Sequence, residues 1–192
     1  MSIKITTLVE NSVYGKGLQG EHGLSLLVDT GEHRLLFDTG ASDLFIRNAR
    51  ILGIDLKEVD FLVLSHGHRD HTGGLHHFLA VNDKAQVVCK RELFQPKFKD
   101  ERENGVMQPD ALDSTRFRFV DEVTELCRSV FVFPQLPVTD EEDTHFEHFF
   151  TWAEGRKQAD TFTDELALVL KQGAEVSVLS ACSHRGITNI IR

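Results

Sequence analysis

Residues 65–71 read Ser-His-Gly-His-Arg-Asp-His, with three imidazoles and one carboxylate in the six residues from His66 to His71, directly after the apolar run Phe-Leu-Val-Leu at 61–64. Nothing else in the chain limits the fold so tightly. Where backbone leaves a strand still extended, residues two apart point the same way, so His66 and His68 share a face. The chain then turns towards a helix, where Asp70 and His71 face a second position beside the first. Neutral imidazole and carboxylate are donors for transition metals, which usually take three or four protein ligands. The bland alternative is a polar surface turn, and the H-x-H-x-D-H spacing favours the metal site instead.

The rest of the chain supplies an α/β pattern around that motif. Apolar runs and turn residues predict strands over 3–9, 24–28, 34–37, 61–64 and 86–89. A helix is predicted over 42–52, with Ser42 as N-cap and Gly53 as its stop, and another over 72–81. Residues 97–115 are mostly charged or small and read as a solvated loop. Short strands follow at 117–120 and 130–133, the latter ended by Pro134 and Pro137. The acidic segment 139–164 carries His145, His148, Phe146, Phe149, Phe150 and Trp152. It reads either as an active-site cover or as a helix whose Phe residues pack on a sheet. Strands at 166–170 and 176–180, the second expected to be buried, lead to His184 and a short helix. No repeat or linker interrupts the chain, so one domain over 1–192 is expected, with a lid or insertion at about 97–164.

Length and composition fit such a domain: 192 residues, 41% hydrophobic, formal net charge −9. No apolar stretch approaches the roughly 18 residues that cross a bilayer, and the start lacks a signal-peptide pattern. Cys89, Cys127 and Cys182 are far apart and odd in number, which fits a reducing cytoplasm better than a disulfide scaffold. The negative charge disfavours nucleic acid and anionic membrane, since phosphate binding needs a positive field. A small-molecule substrate is the expected partner.

Four stretches carry a family resemblance: Glu21-His22-Gly23-Leu24-Ser25-Leu26-Leu27; Leu35-Leu36-Phe37-Asp38-Thr39-Gly40; the motif with its continuation Thr72-Gly73-Gly74-Leu75; and Ala181-Cys182-Ser183-His184-Arg185-Gly186-Ile187-Thr188-Asn189. Together they resemble the metallo-β-lactamase superfamily. Within it they resemble the branch of 7,8-dihydropterin-6-methyl-4-(β-D-ribofuranosyl)aminobenzene-5'-phosphate synthase-like metallohydrolases. The resemblance implies an αββα sandwich with metals at one sheet edge. Zinc is the implied cofactor, as one or two ions, with Mn2+ or Fe2+ left open. His66, His68 and His184 would hold the first ion, and Asp70 and His71 the second. Asp70 would also act catalytically, accepting a proton from, or orienting, a metal-activated hydroxide. Asp38 would orient a ligand imidazole. His22 would contact substrate, whereas His33, His76 and His77 read as packing or surface residues.

The family pattern is not met everywhere. A bridging aspartate is usual where this chain has Ala181-Cys182, and no later histidine follows His184. Cys182 could be a thiolate ligand or a small residue near the site, and Asp164 or Glu165 could complete the coordination of the second ion. The leading expectation is a metal-dependent hydrolase acting on a small phosphorylated, ester or pterin-like substrate. C–N bond formation of the synthase type is one rival. A truncated chain that keeps one metal and turns nothing over, with an exposed apolar face and self-association into a homo-oligomer, is another. A phosphodiesterase or nuclease ranks lower, and a di-iron redox enzyme lower still.

Overall fold

Consecutive apolar residues at 26–28 and 35–37 demand strands covered on both faces, and they form the middle of a sheet. In the computed structural model, which describes residues 3–192, β1 (Lys4–Val9), β2 (Ser25–Asp29) and β3 (Arg34–Phe37) make an antiparallel meander. β4 (Phe61–Val63) and β5 (Gln86–Cys89) then add in parallel. Parallel pairing requires crossovers. These are α1 (Leu44–Ile51) and, after the motif, α2 (Arg69–Thr72) and α3 (Leu75–Val81). Leu35, Leu36, Phe37, Leu62 and Val63 are wholly buried. These elements belong to the first of two compact units, comprising the chain up to Leu64, His68–Val88 and Met107–Arg118.

The second unit comprises Ser65–Gly67, Cys89–Val106 and Phe119–Arg192. It holds β6 (Lys97–Lys99) and β7 (Arg102–Glu103), while β8 (Phe117–Phe119) joins the six-stranded sheet at the edge beyond β5. β9 (Thr124–Cys127), β10 (Val130–Phe133), β13 (Ala167–Gln172) and β14 (Glu175–Leu179) form a sheet in the order β14-β13-β10-β9. β11 (Phe149–Ala153) and β12 (Arg156–Ala159) form a hairpin that extends β6 and β7 into another. The short helix α4 (Ile187–Ile191) follows His184.

Five expectations are corrected. The helix expected over 72–81 is two pieces, because at Gly73 and Gly74 the backbone packs directly on the Ala41 and Thr39 carbonyls. Segment 97–115 is not a simple solvated loop: Lys97 is 1% exposed within β6, where two carboxylates receive its ammonium. Of the two readings of 139–164 the helix does not form: Phe149, Phe150 and Trp152 lie on β11 of a hairpin. Among the described residues β14 pairs only with β13, and four of its five residues are exposed, so it is a sheet edge and not a buried strand. The helix start also moves, to Leu44. Ser42 still serves it, accepting from the Leu44 N–H at 3.1 Å and donating to Glu21 Oε2 at 2.6 Å.

Candidate metal centre

In the first unit the chain leaves β3 through Asp38, which adopts a left-handed backbone (φ 60°). That turn is tied down on several sides. The Asp38 N–H donates to the Val63 carbonyl at 2.9 Å, and Ser25 Oγ donates to the Asp38 carbonyl at 2.9 Å. Thr39 gives both its N–H and its hydroxyl to the His71 carbonyl. The wholly buried Asp38 carboxylate thereby meets His71 Nδ1 at 2.7 Å. A carboxylate can only accept, so Nδ1 donates to Asp38, and whenever the ring is neutral its lone pair lies on Nε2.

Asp70 stands beside that nitrogen, with Oδ2 at 3.3 Å from His71 Nε2 and 3.4 Å from Nε2 of the exposed His22. Burial pushes the Asp70 carboxyl up, but the hydrogen bond and charge of His71 and the charge of His68 outweigh it, leaving a pKa of about 2. His68 is buried as the residue preceding α2, and its carbonyl accepts from the Thr72 hydroxyl at 3.0 Å.

In the second unit Ser65 Oγ lies 2.9 Å from His66 Nδ1, inside the core. His184 Nδ1 donates to the His145 carbonyl at 3.1 Å, and the His145 N–H returns a bond to the His184 carbonyl at 2.7 Å. The His184 ring stacks on Phe162 at 3.8 Å, with Phe149 edge-on at 5.0 Å. His66 and His184 stand with ring centroids 5.1 Å apart, and their ligand atoms lie within 4.8 Å of each other. The Cys182 sulfur also lies within 4.8 Å of a ligand nitrogen of His66.

Asp164 and Glu165 follow Phe162, itself wholly buried. Glu165 accepts from the backbone N–H groups of His184 (2.9 Å) and Arg185 (2.8 Å), one on each oxygen. Burial raises its carboxyl to about 7 against the pull of those two bonds. Asp164 accepts from the Gly67 N–H at 2.7 Å with one oxygen and from Lys97 Nζ at 2.9 Å with the other. Burial raises the Asp164 carboxyl, whereas the charges of Asp164 and Asp160 overcome the burial of Lys97 and hold its ammonium above the usual lysine value.

The residues singled out in the sequence therefore gather within each unit: Asp38, Asp70, His71 and His22 in the first, and His66, His184, Cys182, Asp164 and Glu165 in the second. Glu165 spends both oxygens on backbone N–H groups, and Asp164 spends one on backbone and one on Lys97. His33, His76 and His148 bond to Asp60, the Met107 carbonyl and Asp100. Lys97 was missed. It stands in a charged stretch, and the alternation Lys-Phe-Lys gives no sign of which lysine turns inward.

The family model for the Metallo-beta-lactamase superfamily matches residues 18–163. The chain belongs to this superfamily. Among solved structures it is similar to Tm1679, a metal-dependent hydrolase of the β-lactamase superfamily. The two are 34% identical with a TM-score of 0.83, over 99% of this chain and 70% of that one. It is also 28% identical, over its full length and 71% of the relative, to 7,8-dihydropterin-6-methyl-4-(β-D-ribofuranosyl)-aminobenzene-5'-phosphate synthase of Methanocaldococcus jannaschii. An uncharacterised protein of the same archaeon is 28% identical over 97% of this chain and 72% of its own. The metallo-β-lactamase fold expected from the sequence is thus the fold of this chain. Its histidine-rich residues suit the metal dependence of the superfamily, and among the described residues no helix is long and apolar enough to cross a membrane.

Proposed function

We propose that this metallo-β-lactamase superfamily member is a metal-dependent hydrolase of a small phosphorylated, ester or pterin-like substrate, with zinc as its metal. His66, His68 and His184 would take one ion, and Asp70 and His71 a second. One observation carries the reading: His71, His184 and His66 each have Nδ1 engaged, by a carboxylate, a backbone carbonyl and a serine hydroxyl. Ligating histidines are oriented in this way through the nitrogen that does not bind metal. Two of the three acceptors fix the tautomer, since neither a carboxylate nor a carbonyl can donate.

When bound, a dication supplies Lewis acidity and lowers the pKa of water towards neutrality. The chain's own groups supply the rest. Asp70 stays ionised, ready to orient or accept a proton at Oδ2, and Asp38 keeps His71 in the ligating tautomer. Exposed His22, whose Nδ1 lies 3.1 Å from Asn11 Oδ1, is placed to meet substrate beside Asp70. The likeness to the archaeal synthase favours C–N bond formation as the second reading.

Metal stoichiometry by elemental analysis, on protein purified without added metal and beside a His184→Ala variant, tests the metal. Two zinc ions per chain, falling in the variant, are expected. Less than one ion, with no gain on loading, would refute the proposal. Turnover of phosphoesters or lactones by the loaded protein supports hydrolysis. Product formed only when an amine or arene acceptor is supplied would favour the synthase reading.

A further inference from the structure

Within the second unit, Gly67 sits between two of the proposed metal ligands in sequence, and a side chain reaches it from 97 residues away. Its N–H donates to Asp164 Oδ2 at 2.7 Å. The opposite oxygen of Asp164 accepts from Lys97 Nζ at 2.9 Å, and Lys97 Nζ also donates to Asp160 Oδ2 at 2.7 Å. Asp160 is itself fixed, because its Oδ1 accepts from the Phe162 N–H at 2.8 Å. Lys97, Asp160 and Asp164 are 1%, 3% and 0% exposed. The packing leaves no slack: a Cβ on Gly67 would meet the Leu93 carbonyl, with Lys97 Cε at 2.9 Å and Asp164 Oδ2 at 3.2 Å.

We infer that Lys97 and Asp164 are positioning residues that hold the His66–Gly67 peptide in its ligating conformation. The inference rests on the metal reading of residues 66–71 and extends it to a strut built from β6 and from the segment before β13. The peptide bond is planar, so fixing the Gly67 nitrogen fixes the His66 carbonyl and the direction in which the chain leaves His66. Ser65 Oγ then sets the ring. A buried lysine with two carboxylates is a poor way to gain stability, since apolar residues of the same volume generally do as well. Its use is geometric. The carboxylate aimed at Gly67 needs its second oxygen held, and the lysine holds it. Lys97 in turn hangs on β6, where its backbone is registered against Thr151.

The test compares Asp164→Asn, Lys97→Met and Asp160→Asn, with Lys99→Met as control, because Lys99 shares the strand but is exposed. Asn at 164 can present its oxygen to Gly67 or to Lys97, but not to both. Asp160→Asn leaves the bond to Gly67 in place. Each full-length variant is loaded with Co2+, and affinity is read by competition with a chromophoric chelator. Ligand geometry is read from the cobalt d–d absorption, and folding from circular dichroism in chelator. Asp164→Asn and Lys97→Met are expected to bind Co2+ ten- to a hundredfold more weakly, with altered d–d bands. Asp160→Asn and Lys99→Met should stay within about threefold of the parent, with the parent spectrum. Parent affinity and spectrum in Asp164→Asn would overturn the inference while leaving the metal reading intact. If Asp164→Asn does not fold, the same result in Lys97→Met overturns it. A parent protein that takes up no cobalt overturns both.

Discussion

Asp38→Asn isolates one charge in the proposed centre. Asp38 is wholly buried, lies 2.7 Å from His71 Nδ1 and has φ 60°. Asparagine has nearly the same volume and, among side-chain-bearing residues, tolerates the left-handed region well. The backbone is therefore spared and the carboxylate charge alone is lost. The amide oxygen can still accept from Nδ1–H, but a charged acceptor raises the basicity of the ring more than a neutral one. Loss of such an outer partner weakens metal binding about ten- to a hundredfold, which is about 1.4 to 2.7 kcal/mol. With metal in excess, that energy comes straight out of the metal-induced stabilisation. For a chain of this length it shrinks the rise in melting temperature on adding zinc by roughly 3 to 11 °C. The assay is a pair of thermal melts, in zinc and in chelator, for parent and variant. Asp38→Ala is the contrast: it strands the His71 donor and strains the turn, so it should lower the melt in chelator as well, by about 2 to 4 kcal/mol. An Asp38→Asn protein with the parent's full zinc-induced rise would refute the argument. So would one that loses the same amount with and without zinc, since Asp38 would then serve only the fold.

Two further outcomes are expected. Gly67→Ala must push on the Leu93 carbonyl and Lys97, so it should melt lower by about 1 to 3 kcal/mol and bind zinc poorly; a parent-like melt would show that the strut can yield. Cys182 should react with a thiol reagent in the native protein while Cys89, buried and pushed up to about 12, stays silent until denaturant is added, which peptide mapping after labelling would check.

Much of the first unit was legible because its strands are unbroken apolar runs and its helix has a regular stripe. Leu35 to Phe37 and Phe61 to Val63 have no plausible place except a covered sheet. The ligand candidates came from the chemistry of a short motif and, for His184, from the family resemblance around it. Asp38 could be picked out as an aspartate at a strand end, but not its left-handed turn. Lys97 could not be found at all, since its burial depends on Asp160 and Asp164, more than 60 residues away. The hairpin of β11 and β12 was hidden for a related reason: Phe149, Phe150 and Trp152 fit a helix face or a strand equally well, and only pairing with β6 decides. β14 shows the limit of reading apolar alternation as burial, because Val176 and Val178 are 57% and 37% exposed.

That open edge bears on how the protein behaves in a tube. A strand with one unsatisfied side and valines at its surface is a template on which another chain can lay down a strand, so concentration favours adhesion. Glutamate at 176 would act as a gatekeeper: it faces Lys171 across the pairing with β13, which favours the present partner, and adds a charge that repels a second edge.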